Sequence, residues 1–173
     1  ADDWVALMTP ILKSFSTEVG CEAANVALQI YGGHGYIKDH GIEQLVRDAR
    51  IAPIYEGTNG IQALDLVGRK MPMNTGRLLK SFFHVVKEYI EKNRFNYNLN
   101  EFMPPLIKSF GRLQQVTSFM ASKGLNNPEE AAGPATDYLK MFSLVAIGYV
   151  WTQYAEISFN KQNDDPEGFY KAK

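Results

Sequence analysis

The chain has 173 residues and a net charge of −1 at pH 7. Its pI near 6.4 excludes the broad basic face that nucleic acid or an acidic membrane surface would need. Its single cysteine, Cys21, excludes an internal disulfide and points to a reducing, cytoplasmic setting. The most apolar run, Met141 to Trp151, has 11 residues against the roughly 20 of a transmembrane helix, so no transmembrane segment is expected.

Asp2 and Asp3 stand where a secretory leader would be basic, Ala1 opens the chain in place of methionine, and residues 1–8 read as the end of something preceding. Thr9 and Pro10 then give a helix start, a capping hydroxyl followed by proline at the first helical position. Ile11, Phe15, Val19, Ala23, Val26 and Ile30 recur every three or four residues and predict one apolar stripe. Gly32, Gly33 and Gly35 end that helix. A shorter helix is expected from Asp39 or His40 to Arg50, with Ile42, Leu45, Val46 and Ala49 as its apolar face and Pro53 as its stop. Thr58 or Asn59 caps the next, with Ile61, Leu64 and Val67 as its stripe, closed by Gly68 and Pro72. Residues 71–75 read as a hinge.

Three long helical runs follow. Leu78, Phe82, Val85, Val86 and Tyr89 share a face. After Pro104-Pro105, Leu106, Phe110, Leu113, Thr117 and Met120 share another. Pro134 opens the third, with Leu139, Phe142, Val145, Tyr149 and Ile157. Gly124 to Gly133 reads as a loop, and the tail from Gln162 as polar and frayed until Gly168-Phe169-Tyr170 suggests a further element. With no alternating strand pattern, the fold class is all-α, packed helices with short connections. Ten Phe, nine Tyr and two Trp are more than a closed core of this length needs, so some of them face partners or chain outside this segment.

Glu56 is the leading chemical candidate. A carboxylate between Tyr55 and Gly57 is open to partial desolvation, which suits a general base, and Gly57 lets backbone or substrate approach closely. The same spacing also reads as a solvated loop glutamate. The glycines at 32–35 read as a phosphate turn or as a plain helix stop. They follow a helix C-terminus, the wrong dipole end for an anion, and lack the preceding strand of a dinucleotide fingerprint. His34, His40 and Glu43 are too loosely spaced for a metal site. Cys21 reads as buried and inert, and His84 as a packing residue.

The segment Gln29 to Gln62 closely resembles the C-terminal helical domain of the acyl-CoA dehydrogenases. The matching pieces are Gln29-Ile-Tyr-Gly-Gly-His-Gly-Tyr36, Arg47-Asp-Ala49, Ile54-Tyr-Glu-Gly-Thr58 and Ile61-Gln62. The resemblance is strong over residues 9–70. The remainder is similar to the C-terminal helical extension of the methylmercaptopropionyl-CoA dehydrogenase-like subgroup. It implies a helical bundle of the acyl-CoA dehydrogenase fold over 1–73 and a helical extension over 74–173.

The resemblance further implies an FAD enzyme that oxidises an acyl-CoA substrate to the trans-2-enoyl-CoA and passes electrons to an electron-transferring flavoprotein. Glu56 would take the α-proton while the β-hydride goes to flavin N5. The thioester carbonyl would be held by the Glu56 N–H and a ribityl hydroxyl. Tyr55 and Gly57 would contact the substrate. Gln29, Gly32 and Gly33 would face the adenine half of an FAD bound mainly by a neighbouring subunit, which implies a homo-oligomer, dimer or tetramer. Thr58 would lie near the FAD phosphates. Many relatives carry glutamine where this chain has Gly60, and Arg47 and Asp48 are expected as an ion-paired brace. The family's N-terminal helical and middle β-domains are not in this sequence, so the chain reads as a piece of an enzyme, inert by itself. An acyl-CoA oxidase relative and a non-catalytic helical interaction module are the alternatives.

Overall fold

The first helix is longer than its capping signals suggest. α1 runs from Asp2 to Tyr31 without interruption, with Pro10 inside it. An interior proline costs about 3 kcal/mol through its missing N–H and its ring clash. Leu7 and Ile11 on either side are 1% and 0% exposed, and burying two such side chains returns about 3–6 kcal/mol. Packing therefore carries the helix through. Thr9 does not cap; its hydroxyl donates to the Val5 carbonyl at 2.6 Å within the helix. The computed structural model describes residues 2–164 and 168–172; the expectations placed on Ala1 and on the tail at 165–167 and 173 lie outside them.

The buried face of α1 is rotated from the expected stripe. Leu7, Pro10, Ile11 and Ser14 are buried and Thr17, Cys21, Ala24 and Leu28 half-buried, whereas Val19, Val26 and Ile30 are exposed. α1 packs against α3 (Ile42–Ile51) and α4 (Asn59–Asp65) along this face. Gly32, at φ 57°, ends α1 as expected, and a single turn, α2 (Gly33–Tyr36), follows. A 3-10 turn over Lys38–His40 takes the place expected for the start of α3, because Gly41 in the left-handed region separates the two. Ile42, Val46 and Ala49 are half-buried, but Leu45 is exposed.

Thr58 caps α4 as expected, its Oγ1 accepting from the Ile61 N–H at 3.3 Å. The packed face, however, is Ala63, Leu66, Val67 and Lys70, with Ile61 and Leu64 exposed. Gly68 does not close the helix. It sits inside a π turn, Leu66–Lys70, closed by Met71 N–H to the Leu66 carbonyl.

α5 (Met73–Asn93) opens on three left-handed residues, Asn74 (φ 51°), Thr75 (φ 58°) and Gly76 (φ 75°), before regular helix resumes. The expected break at 71–75 is therefore real, one residue later. A β-branched residue with positive φ is a genuine outlier that costs about 1–3 kcal/mol. Thr75 is exposed and its carbonyl, not its side chain, accepts from Lys80 Nζ. Thr75→Gly therefore removes strain without removing a contact. After the entropy cost of glycine we expect a gain of about 1 kcal/mol, read as a Tm rise of about 2–4 °C for a chain of this size. An unchanged or lower Tm would show that the turn is not strained.

α6 (Met103–Asn126) buries Leu106, Phe110, Leu113, Thr117 and Met120, the expected stripe in full. The expected loop at 124–133 instead carries the end of α6 and a turn, α7 (Pro128–Ala132), because Asn127 caps it through its side chain to the Glu129 N–H. α8 (Ala135–Lys161) buries Leu139, Phe142, Val145 and Tyr149 but leaves Ile157 exposed. His84 is exposed and paired with Glu88 at 3.3 Å rather than packed. A 3-10 turn, Gln162–Asp164, follows α8, and Phe169 stacks edge-on against Tyr170 at 5.1 Å.

All elements among the described residues are helical, and they share one core. Leu7, Ile11, Ala63 and Leu66 from the first segment join Leu78, Phe82, Leu113, Phe142 and Val145 from the second. The Ser143 hydroxyl donates to the Leu139 carbonyl at 2.8 Å within α8 and lies 3.5 Å from the Ile11 carbonyl, so α8 packs directly on α1. The aromatic excess is only partly absorbed: Phe95, Tyr97, Phe119, Trp151 and Tyr154 are all exposed.

The second segment also buries tyrosines. Tyr138 Oη shares a 2.8 Å hydrogen bond with Thr117 Oγ1, and burial pushes the phenol up to about 12. Tyr89 Oη is buried without a partner in hydrogen-bond geometry; burial first and the nearby Glu156 carboxylate second raise its pKa. Burial also raises Tyr149. Folded values above the unfolded value mean that this stability is whole below the unfolded value of 10 and is lost as pH climbs through the folded ones. We expect Tyr138 alone to remove about 2 kcal/mol by pH 12. Urea unfolding across that window checks it, with Tyr138→Phe showing a shallower alkaline decline.

Candidate functional site

The loop between α3 and α4 is a short, heavily tied structure. The N–H groups of Ile54 and Tyr55 both donate to the Ile51 carbonyl, and the Asn59 N–H reaches back to the Pro53 carbonyl at 3.1 Å. Closing that span in so few residues requires a reversal of the backbone. It falls at Glu56 (φ 54°) and Gly57 (φ 85°). Glycine suits position 57 for its positive φ, and a Cβ there would stand 2.8 Å from Gln62 Nε2 and displace that side chain from the Glu56 carbonyl. Glu56 is a non-glycine residue held in the left-handed region, a placement that persists only where surroundings enforce it and that concentrates at functional sites.

The surroundings are visible. Gln62 Nε2 donates to the Glu56 carbonyl at 3.3 Å. Lys13 Nζ, from α1, donates to the Gly57 carbonyl at 2.8 Å and to Asn59 Oδ1 at 2.9 Å. Asn59 Nδ2 points back to Thr17 Oγ1 and Glu18 Oε1 at 3.1 and 3.2 Å. Among the described residues, the backbone N–H groups of Glu56, Gly57 and Thr58 meet no protein acceptor. The Glu56 side chain is exposed, so the desolvation expected from its neighbours is not supplied by this chain. Tyr55 is exposed as well. Beside the loop an open groove of about 550 Å³ is lined by Glu18, Cys21, Asn25, Arg50, Pro53, Ile54, Thr58 and Asn59.

The other expected contacts lie elsewhere. Gln29, Gly32 and Gly33 are at the far end of α1 and exposed. The 16-residue step from Lys13 to Gln29 on a continuous helix sets these two regions about 24 Å apart along its axis. The glycines there differ in need. Gly32 requires its positive φ, Gly35 would clash with the Leu28 carbonyl at 2.6 Å, and a Cβ on Gly33 meets nothing. Gly33 is therefore not required by this chain's own packing.

Arg47 and Asp48 do not form the expected brace. Both are exposed, Asp48 accepts from Gln44 at 2.7 Å, and neither is ion-paired among the described residues. Cys21 is half-buried, its thiol donating to the Ala49 carbonyl at 3.1 Å, and it lines the groove. His34 and His40 contact edge-to-face at 5.2 Å. Gly60 leaves its side-chain space open, and Gln62, the next amide along, is turned onto the Glu56 carbonyl. The residues that sequence reasoning missed are Lys13, Thr17 and Asn59. Lys13 and Thr17, one turn apart on α1, carried a signal only as neighbouring polar positions, and Asn59 was read only as a possible helix cap.

Fold and site together define an all-helical domain that presents one carboxylate on a braced, left-handed turn. Residues 5–71 match the family described as acyl-CoA dehydrogenase, C-terminal domain, and residues 82–173 match acetyl-CoA dehydrogenase C-terminal like. The chain belongs to the acyl-CoA dehydrogenase family. It is 44% identical over 86 residues, half of this chain and 15% of the relative, to a 3-methylmercaptopropionyl-CoA dehydrogenase of Ruegeria pomeroyi. It is 25% identical over 177 residues, 99% of this chain and 29% of the relative, to a butyryl-CoA dehydrogenase of Syntrophomonas wolfei. A broad-specificity linear acyl-CoA dehydrogenase of Mycobacterium tuberculosis is 32% identical over 133 residues, 77% of this chain and 19% of the relative. The chain thus spans under a third of the length of these relatives. No helix among the described residues is long and apolar enough to cross a membrane.

Proposed function

We propose that this chain is the C-terminal helical part of an FAD-dependent acyl-CoA dehydrogenase in which Glu56 is the base that removes the substrate α-proton. The observation that carries this reading is the Glu56 turn, an exposed carboxylate fixed at positive φ and tied from two helices. A base needs fixed position more than contacts of its own. Exposure leaves the carboxylate open to a substrate. The Glu56 N–H, which has no protein acceptor among the described residues, would donate to a thioester carbonyl, where charge develops as the proton leaves. Tyr55 and Gly57 would line the acyl pocket.

The donor set fits a flavin nucleotide. Thr58 carries a hydroxyl beside unpartnered backbone N–H groups, which suit phosphate oxygens, and Gln29, Gly32 and Gly33 offer an amide and open backbone at a separate point. FAD, when bound, supplies the hydride acceptor. A separation of about 24 Å along α1 is in keeping with contacts to two cofactors, one mainly a neighbour's, and so with a homodimer or tetramer. Electron-transferring flavoprotein is the proposed acceptor, and the single cysteine is in keeping with a cytoplasmic setting. The two sequence segments divide the labour: 1–73 carries the site and 74–173 backs it. The test is anaerobic mixing of the FAD-loaded parent protein with saturated and branched acyl-CoA thioesters, followed by flavin absorbance and product mass. Bleaching with formation of enoyl-CoA is the expected result; a flavin that stays oxidised with every thioester would count against it.

A further inference from the structure

The ammonium of Lys13 ends on two neutral oxygens, the Gly57 carbonyl and Asn59 Oδ1. It has no carboxylate partner among the described residues. Long surface lysines rarely settle in this way, since a flexible ammonium is well solvated and gains little from a fixed geometry. Here the geometry is imposed from both sides. The Thr17 hydroxyl gives its one hydrogen to the Lys13 carbonyl at 2.8 Å, which leaves its oxygen to accept from Asn59 Nδ2 at 3.1 Å. Thr17 Oγ1 lies as close to Asn59 Oδ1, at 3.2 Å, so the amide is oriented by Glu18 Oε1, which only accepts and takes Nδ2, and by the ammonium, which only donates and takes Oδ1. The one amide hydrogen left is shared between Glu18 Oε1 at 3.2 Å and the Ser14 carbonyl at 3.4 Å. Four residues spaced on one side of α1 thus form a polar socket for the loop.

What the socket holds is the Gly57–Thr58 peptide, the second after Glu56. Of the ties on the Glu56–Gly57 turn, the Gln62 amide is local, six residues away, whereas Lys13 reaches across 44 residues from another helix. It anchors the turn to α1, the helix that is itself seated in the core through Leu7 and Ile11. A left-handed glutamate relaxes unless surroundings hold it, and Lys13 is the tie that couples it to a rigid element.

We propose that Lys13, oriented by Asn59, is the positioning residue that sets Glu56 against the substrate α-proton. The inference rests on the reading of Glu56 as base. It is tested by a double-mutant cycle in the FAD-loaded parent protein, with flavin bleaching by acyl-CoA followed after rapid mixing. Lys13→Met slows bleaching about 100-fold with substrate affinity, read from the flavin spectral shift, changed less than about threefold, since misplacement by an ångström costs rate rather than binding. Lys13→Arg, which keeps two donors, recovers to within about tenfold of the parent. In the Glu56→Gln background Lys13→Met adds no further loss, because the residue acts only through the carboxylate.

In this 173-residue chain, NMR HN–Hα couplings at Glu56 lose their left-handed signature in Lys13→Met and keep it in Glu56→Gln. If Lys13→Met does not fold, Asn59→Ala, which removes the other acceptor, carries the same cycle. Parent-like bleaching in the Lys13 or Asn59 variant, with a slow Glu56→Gln, overturns this inference and leaves the reading of Glu56 intact. Parent-like bleaching in Glu56→Gln overturns that reading itself. A loss from Lys13→Met that multiplies the loss from Glu56→Gln shows that Lys13 only holds the fold.

Discussion

Glu56→Gln in the FAD-loaded parent protein is expected to slow flavin reduction by acyl-CoA about 1,000-fold, roughly 4 kcal/mol of barrier, with flavin content unchanged. The substitution is clean for a structural reason. The ties that hold the turn end on backbone carbonyls, Glu56 to Gln62 and Gly57 to Lys13, so an amide in place of the carboxylate leaves them in position. The side chain is exposed, so no packing is lost. What changes is the ability to accept a proton. General acid–base catalysis contributes about 10²–10⁴-fold, and the amide cannot serve as its base. Stopped-flow absorbance gives the rate, and substrate affinity from the charge-transfer or spectral shift separates binding from chemistry. A bleaching rate equal to the parent's would falsify the assignment of Glu56.

The Tyr55–Thr58 motif was legible in the sequence because it is local: a glycine where the backbone must reverse, and a threonine whose hydroxyl caps the helix that follows. Pro72, a local helix stop, also pointed to residues 71–75, next to the left-handed residues 74–76. The long stripes of α5, α6 and α8 could be read because those helices bury a face against one another at regular spacing. Other features depended on tertiary packing. Pro10 looked like a helix start, since a local signal cannot report that Leu7 and Ile11 are buried on both sides of it. Val19, Val26 and Ile30 looked like core, since periodicity identifies an apolar face without saying what covers it. Lys13, Thr17 and Asn59 were passed over because their meaning lies in contacts across more than 40 residues. The available clue was two polar positions one turn apart on α1, Lys13 and Thr17. The ion-paired brace expected of Arg47 and Asp48 did not form, since neighbouring positions on a helix point in different directions and both side chains are exposed.

Phe142→Ala is expected to destabilise the whole chain by about 4 kcal/mol, in the usual range for a buried phenylalanine, and to do so in one cooperative transition. Phe142 is fully buried. Its ring lies 4.8 Å from Phe82 and 6.0 Å from Tyr138, and the next residue, Ser143, reaches the Ile11 carbonyl. The cavity therefore opens where α8 meets both α5 and α1. A 4 kcal/mol loss is a large part of the 5–15 kcal/mol that holds a typical domain together. Because Leu7, Ile11 and Leu66 belong to the same core as Phe82 and Phe142, the damage should reach the helices that carry the Glu56 loop, although the substitution lies 86 positions away in sequence. Urea unfolding followed by circular dichroism and by the fluorescence of Trp4 in α1 and Trp151 in α8 separates the possibilities. Coincident curves, both shifted in the variant, are expected if residues 74–173 act as the backing of the site. A tryptophan-resolved transition in which Trp4 unfolds at the parent's midpoint while Trp151 shifts would mean that the two segments are held by separate cores and that the second does not support the first.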